Sequence, residues 1–183
     1  GWRVFLIHKN QQKKFNDVVF IEQLQSLVAG QGMGWADIRV LENAGIRVQQ
    51  APRLQNLFKM IQKQRFDFFP LGANEANFLL TQYRRYSPDV IVEKNLLLIY
   101  PFARLFFVHK QNKTLHQTVT QGLLAAFNSG ELLALFKQHP SNRALFKELQ
   151  LASRVPIFID NNDNTARFKA MPERYFFSVE MLQ

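Results

Sequence analysis

Apolar positions follow two rhythms along this chain, runs typical of strands and helical stripes. Val4-Phe5-Leu6-Ile7, led by Arg3, is β-branched and aromatic and predicts a strand. The polar, basic stretch 8–14 predicts a loop or the exposed end of that strand. Phe20, Ile21, Leu24 and Leu27 fit one face of a short helix. From there the rhythms alternate. Ser26-Leu27-Val28-Ala29 predicts a strand that ends in Gly30-Gln31-Gly32-Met33-Gly34. A helix carrying Trp35, Ile38 and Leu41 stops at Gly45, a left-handed cap. Ile46-Arg47-Val48 predicts a strand, and Pro52 precedes a helix with the stripe Leu54, Leu57, Phe58, Ile61. Phe66-Asp67-Phe68-Phe69 predicts the next strand. Asn74 is placed to cap a helix with Phe78, Leu79 and Tyr83, and Val90-Ile91-Val92 predicts another strand.

This alternation, with short connections, is the pattern of right-handed βαβ units on a parallel sheet, so the fold class is α/β. The remainder differs. Residues 96–100 and 105–108 predict two extended segments. Thr114 and Gln117 form a capping box for a helix with Leu115, Val119, Leu123 and Phe127. Helices are expected at 131–139, ending at Pro140, and from near Ser141. Val155-Pro156-Ile157-Phe158-Ile159 predicts a last strand, 160–164 a polar loop, and Tyr175-Phe176-Phe177 an apolar segment that docks on the rest.

Composition sets bounds. At 183 residues, 47% hydrophobic and 20% charged, the chain can bury a core as one domain or two small lobes. Without cysteine there is no disulfide scaffold, Cys-based zinc site, iron–sulfur cluster or thiol nucleophile. The four histidines, His8, His109, His116 and His139, lack metal-ligand spacing, so neither a metal nor a cofactor is expected. No GxSxG elbow or Walker loop occurs, and the chain is expected to be noncatalytic. The apolar stretch 96–108 is broken by Pro101 and Arg104 and is short of the ~20 residues a membrane span needs. The net charge of +9 comes from scattered basic residues, without a helix-turn-helix, RNP or basic-zipper signature, so no nucleic-acid partner is expected.

The Gly30–Gly34 loop is the main local feature. Its glycines let a backbone approach a ligand, and the helix start behind it attracts anions; equally, it is a tight turn that binds nothing. Asp67 either faces a cleft and binds an amine or pairs locally. Glu75 opens a helix, where its charge favours the dipole. Phe68-Phe69 and Phe106-Phe107 are expected in the core.

Several words, in order, carry a resemblance. They are Ala29-Gly30-Gln31-Gly32-Met33-Gly34-Trp35-Ala36-Asp37, Val40-Leu41-Glu42-Asn43-Ala44-Gly45, Asn56-Leu57-Phe58-Lys59-Met60 and Arg65-Phe66-Asp67-Phe68-Phe69-Pro70. Glu75, Tyr100-Pro101, Phe106-Phe107, Gly122-Leu123 and Ser129-Gly130 continue it. The chain resembles bacterial extracellular solute-binding proteins of the amino-acid type (family 3-like, serving ABC transporters), with the type 2 periplasmic binding fold. The resemblance implies two α/β lobes closing over a ligand. Residues 18–104 would form lobe two; 1–17 and 105–183 would supply crossing strands and part of lobe one, whose first half would be absent. The implied ligand contacts are Gln31, Gly32 and Trp35 after one strand and Gly72, Asn74 and Glu75 after another. Gln31 and Gly32 stand where amino-acid binders commonly carry Thr or Ser. Leu71-Gly72-Ala73 stands where they place an acidic residue.

The expected function is therefore noncatalytic binding of a small polar or anionic ligand, an amino acid or small anion, between the lobes. A membrane transporter is the implied partner, and the periplasm or the extracellular space the implied location. Starting at Gly1 rather than Met agrees with a processed or truncated chain. Two alternatives stay open: a ligand-sensing domain of a signalling protein, and a basic nucleic-acid-binding protein. An incomplete lobe one would expose apolar surface, so self-association through it is also expected.

Overall fold

The computed structural model describes residues 1–162, 166–178 and 181, without the side chains of 141, 144 and 167. In chain order the elements begin with β1 (Trp2–His8), α1 (Gln12–Asn16), α2 (Ile21–Gln25), β2 (Val28–Gly32), α3 (Asp37–Asn43) and β3 (Arg47–Ala51). Next come α4 (Leu54–Gln62), β4 (Phe69–Gly72), α5 (Ala76–Gln82), β5 (Val90–Val92) and β6 (Leu96–Ile99). The last are α6 (Lys113–Asn128), α7 (Glu131–Gln138), α8 (Arg143–Lys147), β7 (Val155–Phe158) and α9 (Ala166–Lys169). Among the described residues no helix is long and apolar enough to cross a membrane.

The sheet is mixed. Strand β1 pairs antiparallel with β4 on one side, Arg3 opposite Gly72, and with β6 and β5 on the other. Strand β7 runs parallel to β6, and β2 parallel to β3. The β2–β3 pair joins β4 through a parallel bridge between Ala29 and Phe68, where Gly30 N donates to Phe68 O at 2.8 Å. The expected βαβ run is therefore parallel only across β3, β2 and β4. Val90–Val92 is a strand, as predicted, but lies antiparallel to β1. Periodicity locates strands; it does not choose their neighbours. Here β1, from the far end of the sequence, takes that place beside β4.

Each face of the sheet has its own core. On one, Val4, Leu6, Phe69 and Leu71 meet the α4 stripe, where Leu57, Phe58 and Ile61 are wholly buried. Burying each such side chain contributes about 1.5–3 kcal/mol. On the other, Phe5, Ile7 and Phe68 pack with Phe15, Leu24, Leu41, Leu96 and Leu98. Covered on both faces, β1 reads as an unbroken apolar run.

Residues 8–14 are not a loop. His8 is the end of β1, buried rather than exposed, and the rest forms a 3₁₀ turn at Lys9–Gln11 and then α1, because Phe15 is drawn into the core against Phe5 and Phe68. Gly45, at φ 79°, ends α3 as expected. Asn74 does not cap α5: the N-cap position is Glu75, whose carboxylate accepts from Gly72 N at 3.2 Å. The cap of α6 is Asn112, whose side chain accepts from Leu115 N at 3.0 Å, two residues before the expected box. The helices at 131–138 and after Ser141, the strand at 155–158 and the docked C-terminal aromatic agree with expectation. Phe177 packs edge-on against Trp2 at 5.1 Å. Positions 163 and 164 of the polar loop lie outside the described residues.

Residues 105–108 form no strand, and Phe106 and Phe107 are 73% and 89% exposed rather than core. No partner strand meets this segment among the described residues. Helices α6 and α7 pack on each other yet bury no residue fully.

Candidate functional site

Strands β2 and β4 run in parallel and end near each other, at Gly32 and Gly72. The two glycines of β2 are required by packing. A Cβ on Gly30 would stand 2.2 Å from the Phe66 ring, and one on Gly32 2.3 Å from the Trp35 indole. Gly30-Gln31-Gly32 is thus strand rather than ligand-cradling loop; the turn proper holds Gly34, at φ 79°.

Gln31 points to the opposite side of the strand from these glycines. It is fully buried, and its Nε2 donates to Pro70 O at 3.2 Å. Proline has no N–H for a ladder bond, so this side chain ties β2 to β4 where the regular pairing stops. Gln31 Oε1 is buried without a hydrogen-bond partner among the described residues. Trp35 stacks on Phe69, centroids 6.2 Å apart and 28° between planes, leaving it 37% exposed.

Gly72, Asn74 and Glu75 come together. A Cβ at Gly72 would lie 2.9 Å from Asn74 Oδ1 and 3.0 Å from Glu75 Oε1. The other Glu75 oxygen faces Arg104 Nη2 at 3.7 Å. Asp67 follows its local alternative: it accepts from Lys14 Nζ at 2.6 Å and from Val28 N at 2.8 Å.

The strongest electrostatic feature joins residues that pattern reading passed over. Arg3 Nε donates to Asp37 Oδ1 at 2.7 Å, and the Tyr100 hydroxyl donates to the same oxygen. The Arg3 guanidinium lies 5.0 Å from the Tyr100 ring centre and 4.9 Å from that of Phe102. Burial by itself lowers the pKa of Arg3, but Tyr100, Asp37 and Glu75 outweigh it and hold the guanidinium above its ordinary value. Burial pushes the Tyr100 hydroxyl far up; Arg3 opposes this and Asp37 reinforces it. Asp37 opens α3, so the helix start already carries its own carboxylate, and a second anion there would meet like charge. One sequence signal was available: Arg3 is a charge at the head of a strand otherwise apolar through Ile7.

These groups border a cleft of about 1630 Å³, whose wall includes Arg3, Ala73, Asn74, Tyr100, Phe102 and Arg104. Of the six sequence-predicted contacts, Asn74 is the one in that wall. Gly72 and Glu75 stand just behind it, while Gln31, Gly32 and Trp35 sit on the neighbouring strand and its turn. Among the described residues no group of His, Asp and Glu has the arrangement of a metal site.

No protein-family model matches the chain, and no curated protein matches it in sequence. Solved structures do. An ancestral amino acid-binding protein, AncCDT-1, described as a precursor of cyclohexadienyl dehydratase, superposes with a TM-score of 0.52 at 14% identity, covering 75% of this chain and 56% of that one. YckB from Bacillus subtilis superposes with a TM-score of 0.51 at 12% identity, covering 88% and 63%. An ancestral arginine-binding protein bound to arginine gives 0.46 at 16% identity, covering 75% and 59%. The chain spans 56% to 63% of the length of these structures. By its likeness to the first two, the chain has the α/β fold of the type 2 periplasmic binding proteins.

Proposed function

We propose that this chain is a noncatalytic solute-binding module that takes a small polar ligand, of the amino-acid or small-anion class, into the cleft beside Arg3, Asn74 and Arg104. The observation that carries the reading is that cleft, walled by two arginines and an amide at the end of the sheet. Open α/β sheets present ligand sites outside the carboxyl ends of their strands. Gly72 ends β4 on that side, and Glu75 bonds its backbone. One of the fold's solved relatives is itself described as an amino acid-binding protein.

In this reading residues 18–104 are the ligand-binding lobe and the rest supplies crossing strands and part of a second lobe. Ligand would close the lobes by hinge motion, Gln31, Gly32 and Trp35 lying nearby and Gly72, Asn74 and Glu75 at the rim. The setting is the periplasm or cell exterior, with an ABC-type membrane transporter as partner. Thermal-shift and calorimetric titration of the full chain against the common amino acids and small inorganic anions tests the proposal. A rise in melting midpoint with at least one of them is expected; silence across the panel overturns it.

A further inference from the structure

Between Glu93 and Glu131 the chain carries no acidic residue, while Lys94, Arg104, Lys110 and Lys113 fall within that stretch. Arg104 faces Glu75 at 3.7 Å. Lys110 and Lys113 pair with no carboxylate among the described residues. They stand at the N-terminal end of α6, where the helix dipole is itself positive and the first turn holds no acid. A hollow of about 350 Å³ is lined by the two lysines with His109, His116, Val108 and Gln117. Just before this basic group in sequence come Phe106 and Phe107, the two most exposed aromatic residues among those described.

Unpaired cations beside exposed rings match an anionic layer with an apolar one directly beneath it, which is the profile of a lipid surface. A second copy of the chain would instead set the same lysines against each other. We propose that residues 106–116 dock on an anionic membrane surface. Phe106 and Phe107 enter the boundary between headgroups and acyl chains, and Lys110 and Lys113 meet lipid phosphates at the hollow. The backbone of 105–108 has no partner strand among the described residues, so it lies at headgroup level, where water satisfies it. Two rings and a small basic group give reversible attachment rather than a permanent anchor. This inference goes beyond the solute-binding reading and does not rest on it, because the residues that carry it lie outside the cleft wall.

The full chain is sedimented with vesicles of phosphatidylcholine alone and of phosphatidylcholine mixed equally with phosphatidylglycerol. Binding to the mixed vesicles is expected to be roughly tenfold or more tighter than to the neutral ones, and to weaken as salt is added. Lys110→Gln/Lys113→Gln is expected to weaken it by roughly 20-fold, the effect of two cations removed from an anionic surface. Phe106→Ser/Phe107→Ser is expected to weaken binding to both kinds of vesicle by about tenfold or more, with the melting midpoint of the parent. Should that double variant melt lower, Phe107→Ser alone is measured in its place. Equal binding to the two kinds of vesicle, no binding to either, or variants that bind within about twofold of the parent overturn the proposal. A lipid-free dimer in light scattering that Phe106→Ser/Phe107→Ser dissolves also overturns it, and gives the surface to a second copy.

Discussion

Phe68-Phe69 and Phe106-Phe107 are the same dipeptide in two regions of one molecule. The first pair is fully buried; the second is mostly exposed. The backbone around Phe68 and Phe69 is bonded on both sides, to β2 through Gly30 and to β1 through Leu6. The backbone of 105–108 has no partner strand among the described residues. The helices repeat the contrast. Helix α4 places Leu57, Phe58 and Ile61 in the core, while α6, with Leu115, Val119, Leu123 and Phe127 at comparable spacing, buries nothing fully. A stripe or a run states which surface prefers to leave water. Whether it leaves depends on a second surface delivered by another part of the chain.

Phe69→Ala should show the largest effect, a loss of about 3–5 kcal/mol in denaturant unfolding, since an aromatic is removed between Trp35, Phe58 and Phe66. Phe107→Ala should stay within about 0.5 kcal/mol of the parent. Similar losses at both sites would break the comparison and mean that 105–108 is covered in solution.

Arg154→Ala should cost about 3 kcal/mol or more by the same measurement, because Glu93 remains buried and three carbonyls lose their donor. Burial lowers the Arg154 pKa and Glu93 raises it, the burial prevailing, which marks this pair as interior. The Glu93 carboxylate also accepts from Asn95 N and Leu96 N at the kink between β5 and β6. A loss below 1 kcal/mol would show that the C-terminal segment is not tied to the sheet through this residue.

Asp89 gives the smallest and most local effect. Hydrogen bonds from Lys9 and Gln62 hold its carboxyl below the ordinary carboxylate value, against a smaller opposing effect of desolvation. A carboxyl lowered by folding stabilises the native state above its unfolded pKa, and that contribution is lost as pH falls through the folded value. Carboxyl NMR titration should therefore place Asp89 below 3.8, and Lys9→Met should move it upward. An unchanged value in Lys9→Met would remove the lysine from the account.

Much of the first hundred residues was legible as sequence. The α4 stripe, the Gly45 stop, the apolar run of β1 and the strand at 90–92 follow from local periodicity and turn chemistry. The expected cap at Thr114 failed because Asn112 reached the orphan N–H groups of α6 first, and the one at Asn74 because α5 begins a residue later, with Glu75 at its N-cap position and no side-chain cap bond. The site was legible only in part. Gly72, Asn74 and Glu75 meet because one turn brings them together. Arg3, Asp37 and Tyr100 are far apart in sequence and meet only when β1, α3 and the segment just after β6 assemble.

The sequence by itself determined the α/β class, most of the elements and the absence of thiol chemistry, since these depend on composition and on neighbours a few positions away. Only the tertiary structure decided that β1 lies between β4 and β6, that Gly30 and Gly32 make room for Phe66 and Trp35, and that Arg3 faces a cleft. Each of these is a contact between distant segments, and local propensity carries no information about which distant segment arrives.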